Sequence, residues 1–384
     1  MRTNKMCAIL GNVNRYEGLL PLTENRPLAT LPFDCKYRLI DFPLSNIVNA
    51  NIRTIFMVFN EGETQSVFDH IGSGKEWNLD SLQNRYFVYF YQDFLRKLDK
   101  QGNPYEACID YLQKSKSEYT VFMSNKMLCN IDLRAVLQIH KVQQNDMTIV
   151  YKRMPKEKIY QEDMILEIGE GGRVNGAHAY NQKSDTNDLE NLSMDIYIVR
   201  TDWLIETMEK APQNGDSFVL HELLTSKINE VKASTYEYTG YLSNVHDVKS
   251  YYEANMDMLD SAKFNSLLYT SQKIYTKVKN EVPTYYAPTS DVKSSQFATG
   301  SIIEGHVERS LISRNTHIAK NAKVSNAIVM PNARIAEDAQ VEYAILDKNV
   351  EVQAGVHIQG TPEEPLVIEK GTVVTEDLTR GVGV

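Results

Sequence analysis

The sequence predicts an α/β domain built on a mostly parallel sheet, followed by a parallel β-helix. Two observations predict this pair. Over residues 1–262, short apolar runs alternate with helical patterns, as in doubly wound sheets. From Ile312 onward the apolar residues recur every five or six positions instead, a step that fits neither a helix nor an ordinary strand.

The strands of the first domain are read in order. Cys7–Leu10, Thr54–Phe59, Tyr119–Met123, Met147–Tyr151 and Met194–Val199 are apolar runs of strand length, each followed by a polar or amphipathic segment. In such sheets the ligand crevice lies beyond the carboxyl ends of the strands. The loops after Leu10 and Met123 are therefore the expected site. Tyr251–Leu259 reads as a helix, and the irregular stretch through Pro283 and Pro288 reads as a linker. The expected division is 1–262, linker 263–290 and 291–384.

The second domain has a finer rhythm. Ile312, Ile318, Val324, Val329, Ile335, Val341, Leu346, Val352 and Ile358 are separated by steps of six, six and five, repeated. Three steps close one coil of seventeen residues, so Ile312, Val329 and Leu346 align, as do Asn315, Asn332 and Asn349. Each coil then has three flat faces, each pointing one aliphatic side chain inward. Ala322, Ala327, Ala339 and Ala344 suit tight corners. About four coils are readable. His306 and His317 are expected at exposed coil corners, His140 and Lys141 on the surface, and Tyr86–Tyr91 in the core. The tail ending Arg380-Gly-Val-Gly-Val384 reads as frayed or edge-pairing.

Composition narrows the function classes. Hydrophobic content is 42%, charged content 24% and net charge −9. The overall charge argues against nucleic-acid and anionic-membrane partners. The four cysteines, Cys7, Cys35, Cys108 and Cys129, form no CxxC pair and no metal-ligand spacing, which implies a reduced compartment. The apolar start Met6–Leu10 is too short for a secretory signal, and no stretch is long enough to span a membrane. A cytoplasmic protein is expected.

Several long segments carry a family resemblance. Phe33-Asp-Cys-Lys-Tyr-Arg-Leu-Ile-Asp-Phe-Pro-Leu-Ser-Asn46 resembles the "FGGKYRIIDFPLSN" of ADP-glucose pyrophosphorylases (glucose-1-phosphate adenylyltransferases). His70–Asp80 resembles their "HIG.G.PWDLD", Tyr251–Leu259 their "YWEANLDLL", and Ile328–Asn332 their "VIMPN". The resemblance implies a Rossmann-like, GT-A-like nucleotidyltransferase domain and a left-handed β-helix of hexapeptide repeats.

The same resemblance marks where the chain departs from the enzyme. The family's "SGD" segment places a Mg²⁺-binding aspartate after the third strand read above; here the slot holds Lys126, which cannot ligate a cation. The second metal aspartate falls at Asn244. The glycine-rich loop that receives the triphosphate corresponds to Gly11–Thr23, with Gly18 where an arginine belongs. Arg15 is a candidate substitute for that arginine, and Asp247, the carboxylate nearest Asn244, is a candidate alternative metal ligand. The phosphate-contacting lysine falls at Leu28, the sugar-side "EKP" at Ala179–Asn181, and "DFG.DIIP" at Ser217–Leu224. Preorganised charge is what catalyses phosphoryl-type transfer, so no catalytic residue and no metal site is expected. Gly18, Leu28, Lys126 and Asn244 are degenerate family positions.

Arg26 and Arg38, with Lys36 beside them, match family arginines that line a phosphorylated-effector pocket; a salt bridge to Asp41 or a neighbouring acid is the alternative. The resemblance implies a regulatory D-type subunit, with no cofactor of its own. Mg²⁺ would sit only at a catalytic partner subunit, probably met in an α₂β₂ heterotetramer. An active enzyme with a rearranged site and a stand-alone sugar-phosphate or nucleotide sensor are the other readings.

Overall fold

A computed structural model describes residues 6–81, 84–100, 102–181 and 188–380. Among them, nine strands form the first domain's main sheet: β1 (Met6–Asn12), β2 (Thr54–Phe59), β3 (Arg85–Phe90), β4 (Tyr119–Ser124), β5 (Met147–Pro155), β6 (Met164–Ile168), β7 (Val174–Ala179), β8 (Leu189–Arg200) and β9 (Ala233–Glu237). Their order is β7-β6-β8-β4-β1-β2-β3, with β5 beside β8 and β9 beside β5. Strands β3, β2, β1 and β4 are mutually parallel; β8 runs antiparallel to β4, β5 and β6, and β7 antiparallel to β6. The sheet is thus mixed. Every strand read from the sequence is present, and β8 begins earlier than its apolar run because its first half pairs across a bulge.

Apolar side chains cover both faces. Ala8, Leu10, Ile55 and Met57 face one core, while Cys7, Ile9, Phe56 and Phe122 face the other. Burial on both sides is why these strands read as continuous apolar runs rather than as alternations. Two residues depart from expectation. His140 is buried, not superficial; its Nδ1 lies 2.9 Å from the Thr148 hydroxyl. Tyr86–Tyr91 is half-buried, because β3 is the outermost strand of the sheet.

After the helix Val248–Met256, a second helix, Ser261–Leu268, precedes an irregular stretch that reaches the first coil strand, Tyr285–Tyr286. The β-helix has three flat sheets of six, six and five short parallel strands. It is longer than four readable coils. Ile302 to His317 is a step of fifteen, and Glu351 to Val373 a step of twenty-two, so the outer coils break the seventeen-residue register. Asn315, Asn332 and Asn349 turn corners at φ of 56°, 65° and 60°, a conformation asparagine tolerates. Their amides stack as a ladder, at 3.3 and 3.0 Å. Ala322, Ala327, Ala339 and Ala344 are fully buried. His306 and His317 lie on flat strands rather than at corners, and His317 reaches Glu304 at 2.9 Å. The last residues of the tail, 381–384, lie outside the described residues; Leu378–Thr379 is the final paired strand.

The two domains share a core. Leu311, Ile328, Met330 and Ile345 from the β-helix pack with Phe33, Phe42, Tyr251 and Tyr252. A shared apolar core of this kind resists relative motion of the two domains.

Candidate functional site

The crevice opens where the sheet topology puts it, beyond the carboxyl ends of the adjacent strands β1 and β4. It is a cleft of about 670 Å³. Its walls are largely aromatic and aliphatic, including Tyr16, Leu28, Phe122 and Phe218, and its polar groups include Ser124, Lys126, Asp195 and His221. The loop after β1 ends in a short 3-10 turn, Glu17–Leu19. Gly18 packs so tightly on the start of the helix Val248–Met256 that a Cβ there would lie 2.8 Å from the Cβ of its N-cap residue, Asp247. An arginine cannot replace it without moving that helix. A Cβ at Gly11 would lie 2.7 Å from the Phe122 ring, which fills space beside the loop.

Lys126 follows β4, and Asn244 ends the short strand Leu242–Asn244. That strand pairs with Met127–Cys129, so Asn244 sits opposite Met127. Both side chains converge on one carboxylate. Lys126 Nζ is ion-paired with Asp163 Oδ1, and Asn244 Nδ2 donates to Asp163 Oδ2 at 2.6 Å. The Tyr160 amide donates to the same Oδ2 at 2.8 Å. Lys126 Nζ also lies 5.3 Å and 5.6 Å from the ring centres of Tyr16 and Tyr160, within cation–π range. Burial opposes the ammonium charge, yet Asp163, Tyr16 and Asp195 outweigh it and push the Lys126 pKa up. Lys126 is therefore held as an ammonium at neutral pH.

A second buried carboxylate lies nearby. Asp195 Oδ1 is 2.8 Å from His221 Nε2, and the Ser124 hydroxyl donates to Oδ2 at 3.4 Å. Burial, the largest single influence, would raise the Asp195 pKa, but His221, Lys126 and the Ser124 hydroxyl together outweigh it and lower it; His221, in turn, is raised against its own burial by Asp195. The resemblance pointed to Lys126 and Asn244 but not to Asp163 or Asp195. Asp163 sits in the turn just before β6, and nothing in its local sequence signals its partner.

This donor set does not fit Mg²⁺. An ammonium and the amide N–H of Asn244 occupy one oxygen each of Asp163, and hard cations need free oxygens. Asp247 is engaged elsewhere: its carboxylate accepts from the Ser250 amide at 2.7 Å as the N-cap of Val248–Met256. Arg15 is ion-paired with Glu63 and exposed, so it does not replace the loop arginine. Leu28 lines the cleft with its aliphatic side chain. Ala179 ends β7, the Tyr180 amide donates to the Asp163 carbonyl at 2.7 Å, and Ser217–Leu224 leads into the helix that carries His221.

At the domain junction the three cationic candidates separate. Arg26 is buried; its Nε donates to the Leu22 carbonyl at 2.8 Å and its terminal nitrogen is ion-paired with Asp347 of the β-helix. It is a structural tie between domains, and its acid is Asp347 rather than Asp41. Asp41 instead accepts from the Arg38 amide at 2.9 Å and faces His70 Nε2 at 2.5 Å. The Arg38 guanidinium donates to the Ser66 carbonyl at 2.9 Å. With Lys36 it lines a pocket of about 490 Å³, joined there by Lys277, Lys279 and Arg314. Burial first, then the neighbouring Asp41 and cations, set the Arg38 pKa at about 10. Next to it, burial, Arg38 and Arg26 push Lys348 down to about 7. Lys277, Lys279, Arg314 and Lys348 come from the linker and a coil corner, which no local motif marks.

Comparison with known proteins agrees with this architecture. The nucleotidyl transferase family profile matches residues 17–261, and the profile described as GlmU-like, C-terminal hexapeptide matches residues 284–380. The chain is 31% identical over 378 residues to the Bacillus subtilis glycogen biosynthesis protein GlgD, covering 98% of this chain and 99% of that one. Identity to the Geobacillus stearothermophilus protein of the same name is 32%, over 98% of this chain and 99% of that one. A glucose-1-phosphate adenylyltransferase of Halalkalibacterium halodurans is 31% identical over 91% of this chain and 92% of its own. With a nucleotidyltransferase sheet, a hexapeptide β-helix and full-length relatives of both kinds, the chain belongs to the glucose-1-phosphate adenylyltransferase (ADP-glucose pyrophosphorylase) family, alongside its GlgD-type glycogen biosynthesis proteins.

Proposed function

We propose that this chain is a regulatory, catalytically impaired subunit of a cytoplasmic glucose-1-phosphate adenylyltransferase that serves glycogen synthesis. The observation that carries the reading is the convergence of Lys126 and Asn244 on Asp163. Where the enzyme would hold a divalent cation against nucleotide phosphates, this chain has a closed ion pair. Its cleft offers no loop arginine and no lysine at Leu28. Losing one preorganised donor costs about 10²–10³ in rate, and here several are gone together.

The chain's role would then be exerted through a catalytic partner subunit, as an α₂β₂ heterotetramer, with Mg²⁺ held only by that partner. Supporting a phosphorylated effector at the junction are Lys36, Arg38, Lys279 and Arg314, which line one pocket, and the neighbouring Lys348, pushed down by burial and then by Arg38 and Arg26. Such clusters take sugar phosphates through charge-assisted hydrogen bonds. Arg26, tied to Asp347, serves the junction's geometry.

Pyrophosphate release from ATP and glucose 1-phosphate with Mg²⁺, measured for the chain alone and with the catalytic subunit, tests the reading. Little or no release alone and a changed rate or effector response in the mixture are expected. Turnover by the chain alone would favour a rearranged site built on Asp163 and Asp195. Binding of sugar phosphate without any effect on the catalytic subunit would favour a sensor.

A further inference from the structure

Asn125 follows β4, between Ser124 and Lys126, and lines the cleft. It is 5% exposed. Among the described residues neither its amide oxygen nor its amide nitrogen has a hydrogen-bond partner. A buried amide with both groups unsatisfied is costly, and a native fold keeps one where something else pairs with it.

A second feature of the same wall is Asp195. It takes a left-handed backbone, with φ of 53°, at the bulge where β8 slips against β5 between Ser193 and Tyr197. That conformation is uncommon for a residue with a side chain, and bulges re-aim side chains at sites. Asp195 lines the cleft, its carboxylate facing His221 with one oxygen and the Ser124 hydroxyl with the other. Lys126 and His221 are the basic side chains among the residues lining the cleft, and each already faces a carboxylate. No unpaired cation is left among them for a phosphate. Around these groups stand Tyr91, Phe94, Phe122 and Phe218, walls suited to a flat ring.

We propose that the cleft binds an uncharged nucleoside, the Asn125 amide reading an amino group and the adjacent ring nitrogen of its base, and that it discriminates against the nucleoside's phosphates. An asparagine amide offers an acceptor and a donor side by side. They complement the amino edge of adenine, which such an amide holds through two hydrogen bonds. The aromatic walls cover the faces of the base. Ser124 and His221, fixed by Asp195, give the sugar hydroxyls polar neighbours. A phosphate gains nothing here, because its charge would be desolvated beside the ionised Asp195 and against charges already paired. The volume of about 670 Å³ lies within the range of small-molecule sites. This selectivity is the reverse of that of an enzyme acting on a nucleoside triphosphate.

Equilibrium dialysis of the full chain, free of any catalytic subunit, tests the proposal. The probes are adenosine, ATP with EDTA, ATP with Mg²⁺, and purine riboside, which lacks the 6-amino group. Adenosine should bind at one saturable site, about tenfold or more tighter than ATP under either condition and about tenfold tighter than purine riboside. Asn125→Leu is similar in size and has no polar side-chain atoms. It should weaken adenosine binding about tenfold or more and leave the melting temperature unchanged or raised, since it deletes two unpaired groups. The purine riboside comparison decides the matter on the wild-type chain even if that variant fails to fold. Absence of saturable adenosine binding overturns the proposal. So does ATP binding as tightly as adenosine, or an adenosine affinity that ignores both Asn125→Leu and the loss of the amino group. None of these readouts involves pyrophosphate release or a partner subunit, so this proposal and the regulatory reading can each fail without the other.

Discussion

Asp163 binds Lys126 through one carboxylate oxygen and Asn244 through the other. Asp163→Asn removes the charge while keeping the shape, and leaves a buried ammonium uncompensated. Breaking a buried pair in this way costs about 3–5 kcal/mol, so the urea midpoint should fall sharply; an unchanged midpoint would mean that water already satisfies Lys126. Lys126→Asp supplies a carboxylate at the family's metal position but sets it against Asp163, with Gly18 and Leu28 unchanged. Pyrophosphate release should stay at background, and substantial rescue would show the rest of the cleft to be intact. Residue by residue, the losses at Lys126 and Asn244 were legible because long flanking matches fixed the alignment. Their shared partner was not, because Asp163 is distant in sequence and in a turn without a motif. Arg26 and Arg38 read alike in sequence, yet Arg26 is spent on Asp347 while Arg38 still faces a pocket; an acid 321 positions away cannot be read locally.

The elements followed their hydrophobic patterns wherever burial was two-sided. Strands β1, β2 and β4 were readable as apolar runs, whereas the hairpin β6–β7 was not, since Glu167, Asn175, Gly176 and His178 dilute its pattern. The coils from Ile312 to Ile358 were readable because each step returns an aliphatic residue to the same stack; coils with steps of fifteen and twenty-two residues were lost. Within that stack Ile335 is 1% exposed and lies between Ile318 and Val352. Ile335→Ala should destabilise the chain by about 2–5 kcal/mol. Calorimetry checks this, and it also checks the shared core: the two domains should still melt together, because Leu311, Ile328 and Ile345 bury against the first domain.

At the scale of the whole molecule, the junction couples the two domains to charge. Lys348 has a folded pKa of about 7, set by burial, then by Arg38 and Arg26, with Asp347 opposing and Lys370 adding to the shift. Its unfolded value is about 10.4. A lysine shifted down costs stability once pH falls below the unfolded value, and the penalty is complete below about 7. Lys348→Met should therefore raise the melting temperature at neutral pH, with the difference from wild type vanishing near pH 11. A bound anion favours the charged form, so phosphorylated ligands should be taken up with a proton. Their affinity should weaken as pH rises above 7, by up to about tenfold per unit, and calorimetric titration in buffers of different ionisation enthalpy would register the proton. A pH-independent affinity would place the effector away from Lys348. Under the proposed function, this fold is kept without its chemistry. The most direct measurement is single-turnover pyrophosphate release by the purified chain, free of any catalytic subunit, with saturating ATP, glucose 1-phosphate and Mg²⁺. Release at background, with an effect only when the catalytic subunit is added, is expected; turnover near the usual enzyme median of about 10 s⁻¹ by the chain alone would show that the chemistry is retained.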